Sequence, residues 1–327
     1  MAYPNSETVN FGDLASTTIN NYSKKIADNL TNQNALFSAL NESGNVETYD
    51  GGLEITEQMD YAANTNVTSY SGLDLLPIQQ TQGFTTATFN PANYAVSVVW
   101  TGDERRANAG KAQMHNLLKA KIKNAERSLL NRLNQDAYGD GTGNNGKNLT
   151  GLAAAVPLAN TSGVYGGIDR STWSFWQNQK FQASVDGGGV ATSATILVML
   201  DRLMTQCSRQ SDKPDLIICD DVTYNLIHSA IQQNQRFVET KSADAGFGEI
   251  SWKGVRIRRD SLISGIGANT LFMLNTKFLK LRPREGFEFV DMPEKASINQ
   301  DAVVRMMTWS GNITCSNSAR QGRFSNT

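Results

Sequence analysis

The sequence predicts an α+β fold, because helix-like and strand-like stretches fall in separate blocks instead of alternating. Three observations carry this. Residues 103–138 repeat apolar residues at helical spacing, residues 46–60 and 84–100 alternate with the period of strands, and a strand-rich block opens at residue 213. A chain of 327 residues exceeds one typical domain and implies a large domain or two intergrown ones. With 39% hydrophobic residues and a formal net charge of −1, it has a globular composition and no global field that would draw it to nucleic acid or a membrane.

Residues 13–30 place Leu14, Thr18, Tyr22, Ile26 and Leu30 on one face of a helix, and that face needs a surface to lie on. The strands at 46–60 and 84–100 then flank a tip containing Gly, Asn and Ser, which reads as an extended hairpin arm. A tip of this length suits a projecting functional loop better than the inside of a compact core. No Lys or Arg lies between Lys25 and Arg105, whereas Glu42, Glu47, Asp50, Glu54, Glu57, Asp60 and Asp74 are acidic. The arm is either a solvated acidic surface or complementary to a basic surface on another subunit.

The 103–138 helix carries Met114, Leu118, Ile122, Ala125, Leu129 and Leu133 as one stripe, with Asp103 at its start and Gly139 as its stop. It would be a rod of roughly 54 Å, which only an elongated body can cover. A coiled coil fits less well, since a Gly-rich loop and strand-like sequence follow without further heptads. A second helix is expected over 192–211, capped by Thr192 or Ser193, and a third over about 221–234. Strands are expected within 214–220, 249–260, 269–283, 285–293 and 301–318.

Several motifs imitate active sites. In "DGTGNNGKN" (140–148), Gly141 and Gly146-Lys147 have the spacing of a phosphate-binding loop. Such a loop follows a buried strand, opens a helix and ends in Lys-Ser/Thr; here a helix precedes it and Asn148 follows the lysine. The glycines read instead as turn positions in a flexible reversal of the chain. "LIICDD" (216–221) imitates a magnesium-binding strand end, but Asp220 or Asp221 is better placed to cap the next helix. His115 and His228 each stand alone on a helix, and Cys207, Cys219 and Cys315 form neither a CxxC pair nor a disulfide framework. The basic clusters Arg256, Arg258, Arg259 and Lys277, Lys280, Arg282, Arg284 read as sheet faces or subunit contacts. No catalytic, cofactor-binding or metal site is expected, and no cofactor. The N-terminus lacks the regions of a signal peptide, so a cytosolic origin is expected.

The order of these elements resembles the Hong Kong 97 fold of tailed-bacteriophage major capsid proteins. The stretches "SYSGLDLL" (69–76), "YAVSVVWTGDERRANAGKA" (94–112), "LLKAKIKNAERSL" (117–129), "GDGTGNNGKNLTGLAAAVP" (139–157) and "IDRSTWSFWQNQ" (168–179) are similar to one group of those proteins. The resemblance implies an N-terminal arm at 1–45 and an extended β-hairpin E-loop at 46–100. It further implies a P-domain with a long spine helix beginning at 101–212, an inserted A-domain at 213–295, and a returning P-domain strand with the C-terminus at 296–327.

The resemblance also implies a structural protein that forms pentamers and hexamers of itself in an icosahedral shell around double-stranded DNA, contacted non-specifically. It would be assembled in the host cytoplasm, reside in the virion and have no membrane partner. The implied partners are a portal, a separate scaffolding protein, since about 45 residues before the arm are too few for a fused one, and room for a decoration protein. The E-loop contains no Lys, so the Lys–Asn crosslink of some relatives is not expected. Candidate intersubunit contacts join the acidic Glu54, Glu57, Asp60 and Asp74 to Lys119, Lys121, Lys123 and Arg127 on a neighbour's spine. An encapsulin-like compartment shell is the alternative within this fold; a P-loop-like nucleotide-binding enzyme is a remote one.

Overall fold

The structure is a computed structural model that describes residues 34–107, 111–232, 250–267, 269–287, 290–291, 295–296 and 301–327, with backbone alone for 105–107, 111–119, 232, 291 and 296. The helix expected at 13–30 lies outside these residues.

Helix α1 (Ala35–Glu42) starts at Asn34, whose side chain accepts hydrogen bonds from the N–H groups of Leu36 and Phe37. Every residue from Ala35 to Leu40 is buried, so this short helix is packed on all sides. It is tied to the rest of the molecule through Asp260, whose carboxylate accepts from the Ala35 N–H at 3.2 Å and the Tyr138 hydroxyl at 2.7 Å.

The expected strand at 46–60 is two pieces. Asn45 to Tyr49 run beside β11 (Leu279–Pro283) through bridges at Val46–Leu281 and Tyr49–Arg284, and only Ile55–Asp60 forms β1. Gly51 and Gly52, at φ of 141° and 108°, break the run between them. Likewise 84–100 divides at Asn90-Pro91 into β2 (Phe84–Phe89) and β3 (Ala92–Thr101). β1 and β2 form the hairpin, from Ile55 opposite Phe89 to Asp60 opposite Phe84. β3 instead pairs antiparallel with β14 (Ala302–Cys315) from Ala92 opposite Gly311 to Thr101 opposite Ala302.

The predicted spine is helical over α2 (Gly102–Ala107) and α3 (Lys111–Tyr138). Ile122, Ala125, Leu129 and Leu133 of the expected stripe are buried, and Leu130, Ala137 and Tyr138 join them. At 28 residues α3 is about 42 Å long, close to the roughly 46 Å of the 14-residue strand β14. α3 packs on β3, which pairs along the length of β14, so the long helix lies against the sheet that these strands form.

The chain reverses directly after α3. Asn144 and Asn145 adopt left-handed conformations, with φ of 53° and 58°, between Gly141 and Gly146 at 80° and 77°. The reversal is bonded rather than loose: Asn148 donates to Asp136, the Leu149 N–H donates to the Tyr94 hydroxyl, and the Thr150 N–H and hydroxyl donate to Asn312. A small hairpin of β4 (Val164–Tyr165) and β5 (Ile168–Asp169) follows.

A six-stranded sheet has the order β6 (Gln179–Gln182), β15 (Gly322–Ser325), β10 (Thr270–Leu274), β7 (Leu216–Cys219), β9 (Val255–Arg259) and β8 (Ile250–Trp252). Its residues alternate between two cores. Ile217, Cys219, Leu271, Met273 and Phe324 face α4 (Ile196–Cys207) and α5 (Asp221–Gln232), while Leu216, Ile218, Phe272 and Leu274 belong to the core shared with α1 and α3. The second sheet joins β11, β12 (Val290–Asp291), β13 (Lys295–Ala296) and β3 to β14. Strands within 213–295 are thus divided between both sheets, and β15 crosses back into the first.

Asp220 caps α5 by accepting from the Thr223 N–H at 3.1 Å. The expected cap at Thr192 or Ser193 is not made: α4 starts after Thr195, whose hydroxyl accepts from the Thr192 N–H and forms no cap bond with its own helix.

Candidate assembly surface

Three of the seven acids named above, Glu42, Glu47 and Glu57, meet basic partners on their own chain. Glu42, at the end of α1, meets Arg256 at 2.8 Å and Arg258 at 2.7 Å, both on β9. Burial opposes ionisation of Glu42, but Arg258, Ser38 and Arg256 outweigh it and hold the carboxyl below its ordinary range. Glu47 lies between Lys280 at 2.9 Å and Arg282 at 2.6 Å; the hydrogen bond from Lys280 is the main reason its pKa is lowered. Glu57 accepts from Arg282 at 2.9 Å and from the Thr314 hydroxyl. The clusters read as sheet faces or subunit contacts are therefore largely committed inside the molecule: Lys277 also pairs with Asp212 at 3.0 Å.

These pairs fasten the root of the hairpin, and packing completes the fastening. Ile55, Met59, Ala87 and Phe89 are buried, and the Phe89 ring meets Tyr165 edge-on with centroids 5.1 Å apart. Tyr165 stacks on Trp176, whose Nε1–H donates to the Tyr165 carbonyl. Gly166, at φ 59°, lets this hairpin approach: a Cβ there would lie 2.9 Å from both Ala87 and Phe89. Its carbonyl accepts from the Thr88 N–H at 3.0 Å.

Beyond the root, the tip at 61–83 is shaped by side chains rather than by a ladder. Asn64 accepts from Thr81, and Asn66 donates to the Gln79 carbonyl, so the two limbs stay together. Asp74 accepts from the Ser71 N–H and closes the far turn. Across this unit Leu53, Leu73, Leu75 and Ile78 are each more than 90% exposed, and Val67, Tyr70, Leu76 and Phe84 are exposed as well. This apolar surface is absent from the sequence-based expectations. Its signal was present in "LDLLPI" (73–78), an apolar run inside a loop that polar neighbours disguise.

Of the eight charged positions expected at this surface, the structure leaves Glu54, Asp60, Asp74, Lys123 and Arg127 exposed. Glu57 is turned inward, and Lys121 is held by Glu104 at 2.7 Å and by the Val99 carbonyl at 3.0 Å. The Lys119 side chain lies outside the described residues. The inward turn of Glu57 follows from strand alternation, which groups it with Ile55 and Met59.

No family model and no curated protein matches the sequence. Solved structures do. The chain is similar to the capsid asymmetric unit of cyanophage A-1(L), with a TM-score of 0.66, 16% identity and coverage of 86% of this chain and 90% of that one. The fold is that of phage capsid proteins. The capsid of Myoviridae phage XM1 gives 0.58 at 10% identity over 88% and 91% of the two chains, and the capsid of the native GTA particle gives 0.55 at 10% over 87% and 89%. The Hong Kong 97-type fold accounts for the long helix, the projecting hairpin and the two-sheet body in one architecture, as the sequence resemblance implied.

Proposed function

We propose that this chain is a major capsid protein, a structural and non-catalytic subunit that assembles with itself into an icosahedral head shell around phage double-stranded DNA. One observation carries the reading: a hairpin anchored at its root by ion pairs and aromatic packing ends in a tip on which Leu73, Leu75 and Ile78 are each more than 90% exposed. Burying one such side chain is worth about 1.5–3 kcal/mol, so several of them docked on an adjoining copy supply an adhesive contact that repeats around a ring.

On this reading the subunit forms pentamers and hexamers, works with a separate scaffolding protein and a portal, is assembled in the host cytoplasm and ends in the virion. Glu54, Asp60 and Asp74 would face Lys123 and Arg127 of a neighbour, adding charge register to the apolar contact. Negative-stain microscopy of the expressed chain with its scaffolding partner tests this: closed shells are expected, and rods or dispersed subunits only would overturn it. Purified particles filled with DNA support the head-shell reading; particles filled with a cargo enzyme favour an encapsulin-like compartment.

A further inference from the structure

Four arginines are buried among the described residues, and three of them are accounted for. Arg170 donates to the Trp176, Ala154 and Ala155 carbonyls, Arg258 pairs with Glu42, and Arg305 also has a partner. Arg323 on β15 is only 7% exposed, and no acceptor is found for its guanidinium among the described residues. The Phe272 ring lies 5.3 Å from its Cζ, which offers a cation–π contact and no hydrogen-bond acceptor. Burial lowers its pKa, with no carboxylate to offset that cost.

A second cation shares its register. β6 runs parallel to β15 with Lys180 opposite Arg323, so both side chains leave the same face of the sheet. Lys180 is half-buried and makes no ion pair among the described residues. Like charges in adjoining register positions destabilise a sheet unless something lies between them. Gly267 packs beside the guanidinium, where a Cβ would come 3.9 Å from Arg323 Nη2. With only 7% of its surface exposed, Arg323 offers no seat to a polymer backbone, so any ligand must be small.

We infer that the Arg323 and Lys180 face of the six-stranded sheet is a binding site for one compact oxyanion of the phosphate or carboxylate class. Arg323 supplies the planar fork that matches such a group, and Lys180 supplies a second charge. The site lies on the six-stranded sheet and uses no residue of the arm.

The test compares melting of the full-length dispersed chain in sodium phosphate and in sodium chloride of equal ionic strength, for the native protein, Arg323→Met and Arg323→Lys. Phosphate stabilises folded proteins generally by exclusion, so the methionine variant sets the baseline. The native chain should gain a further, saturating rise in Tm that Arg323→Met lacks and Arg323→Lys largely loses. In phosphate-free buffer Arg323→Met should melt no lower than the native chain, since an unpaired buried charge has been removed. Equal gains in all three proteins, or no saturating component, would overturn the proposal.

If Arg323→Met does not fold, phosphorus-31 line broadening on the native chain, reduced in Lys180→Met, carries the same decision; unbroadened lines reject the site. A phosphate gain present in dispersed subunits and lost on assembly identifies the oxyanion as a carboxylate of the adjoining copy. A gain retained in shells identifies free phosphate.

Discussion

Glu57 sits on the inward face of β1 with its carboxylate shared between Arg282 and the Thr314 hydroxyl, so its charge is tolerable only while that guanidinium stays in place. Arg282→Met should therefore cost about 3 kcal/mol or more in denaturant unfolding of the dispersed chain, and adding Glu57→Met should recover most of the loss. A double variant no better than the single one would assign the loss to packing. Gly166 gives a second single-residue test. Alanine there meets Ala87 and Phe89 at 2.9 Å with φ at 59°, so Gly166→Ala should lower stability by about 1–3 kcal/mol in the same measurement. Charge alone groups Glu57 with the exposed acids. The alternation Ile55, Glu57, Met59 already assigned it to the apolar side, and the partner that makes burial affordable lies 225 residues away, beyond any local pattern.

Among elements, α1 and the segment that leads into the hairpin are attached through carboxylates whose pKa is lowered. Glu42 and Glu47 have folded pKa values below their ordinary 4.5, so their stabilisation is complete above that value and is lost as pH falls through the lower folded value. A Glu42→Gln, Glu47→Gln chain should show a flatter fall of Tm with pH below 4.5; an unchanged acid limb would remove these carboxylates from the account.

The tip behaves differently, because its Leu73, Leu75 and Ile78 side chains are almost wholly exposed. Leu75→Asp with Ile78→Asp should shift the dispersed chain's stability by no more than about 0.5 kcal/mol and yet abolish shells in negative stain. The long helix was legible through the apolar stripe that recurs over its turns, and the 14-residue strand through a long run rich in β-branched and apolar residues. The breaks at Gly51-Gly52 and at Asn90-Pro91 were legible in kind, since Gly and Pro punctuate, but β3's choice of β14 over β1 was not. That choice is made by a partner about 210 residues later in the chain.

At the scale of the whole molecule, the arm brings no Lys from 46 to 100, so its contacts with neighbours are expected to remain non-covalent. Purified shells should dissolve into a single band on denaturing gels, and a ladder of linked oligomers would refute this. The resemblance in sequence pointed to the right architecture, while the allocation of strands to sheets stayed hidden. β15 is four residues long and fully buried, too short for any periodic signal, and its place is fixed by neighbours on both sides.

That place has a consequence for synthesis. β15 stands between β6 and β10, so a ribosome must release residues 322–325 before β6 has any strand to pair with. A chain that stops short of them keeps an open seam between its two halves and exposes Phe181, which otherwise stacks on Phe324. Truncated translation products thus carry an exposed defect, and on the proposed head-shell reading the fold itself would screen them out of a growing lattice in which one faulty tile would spoil its neighbours.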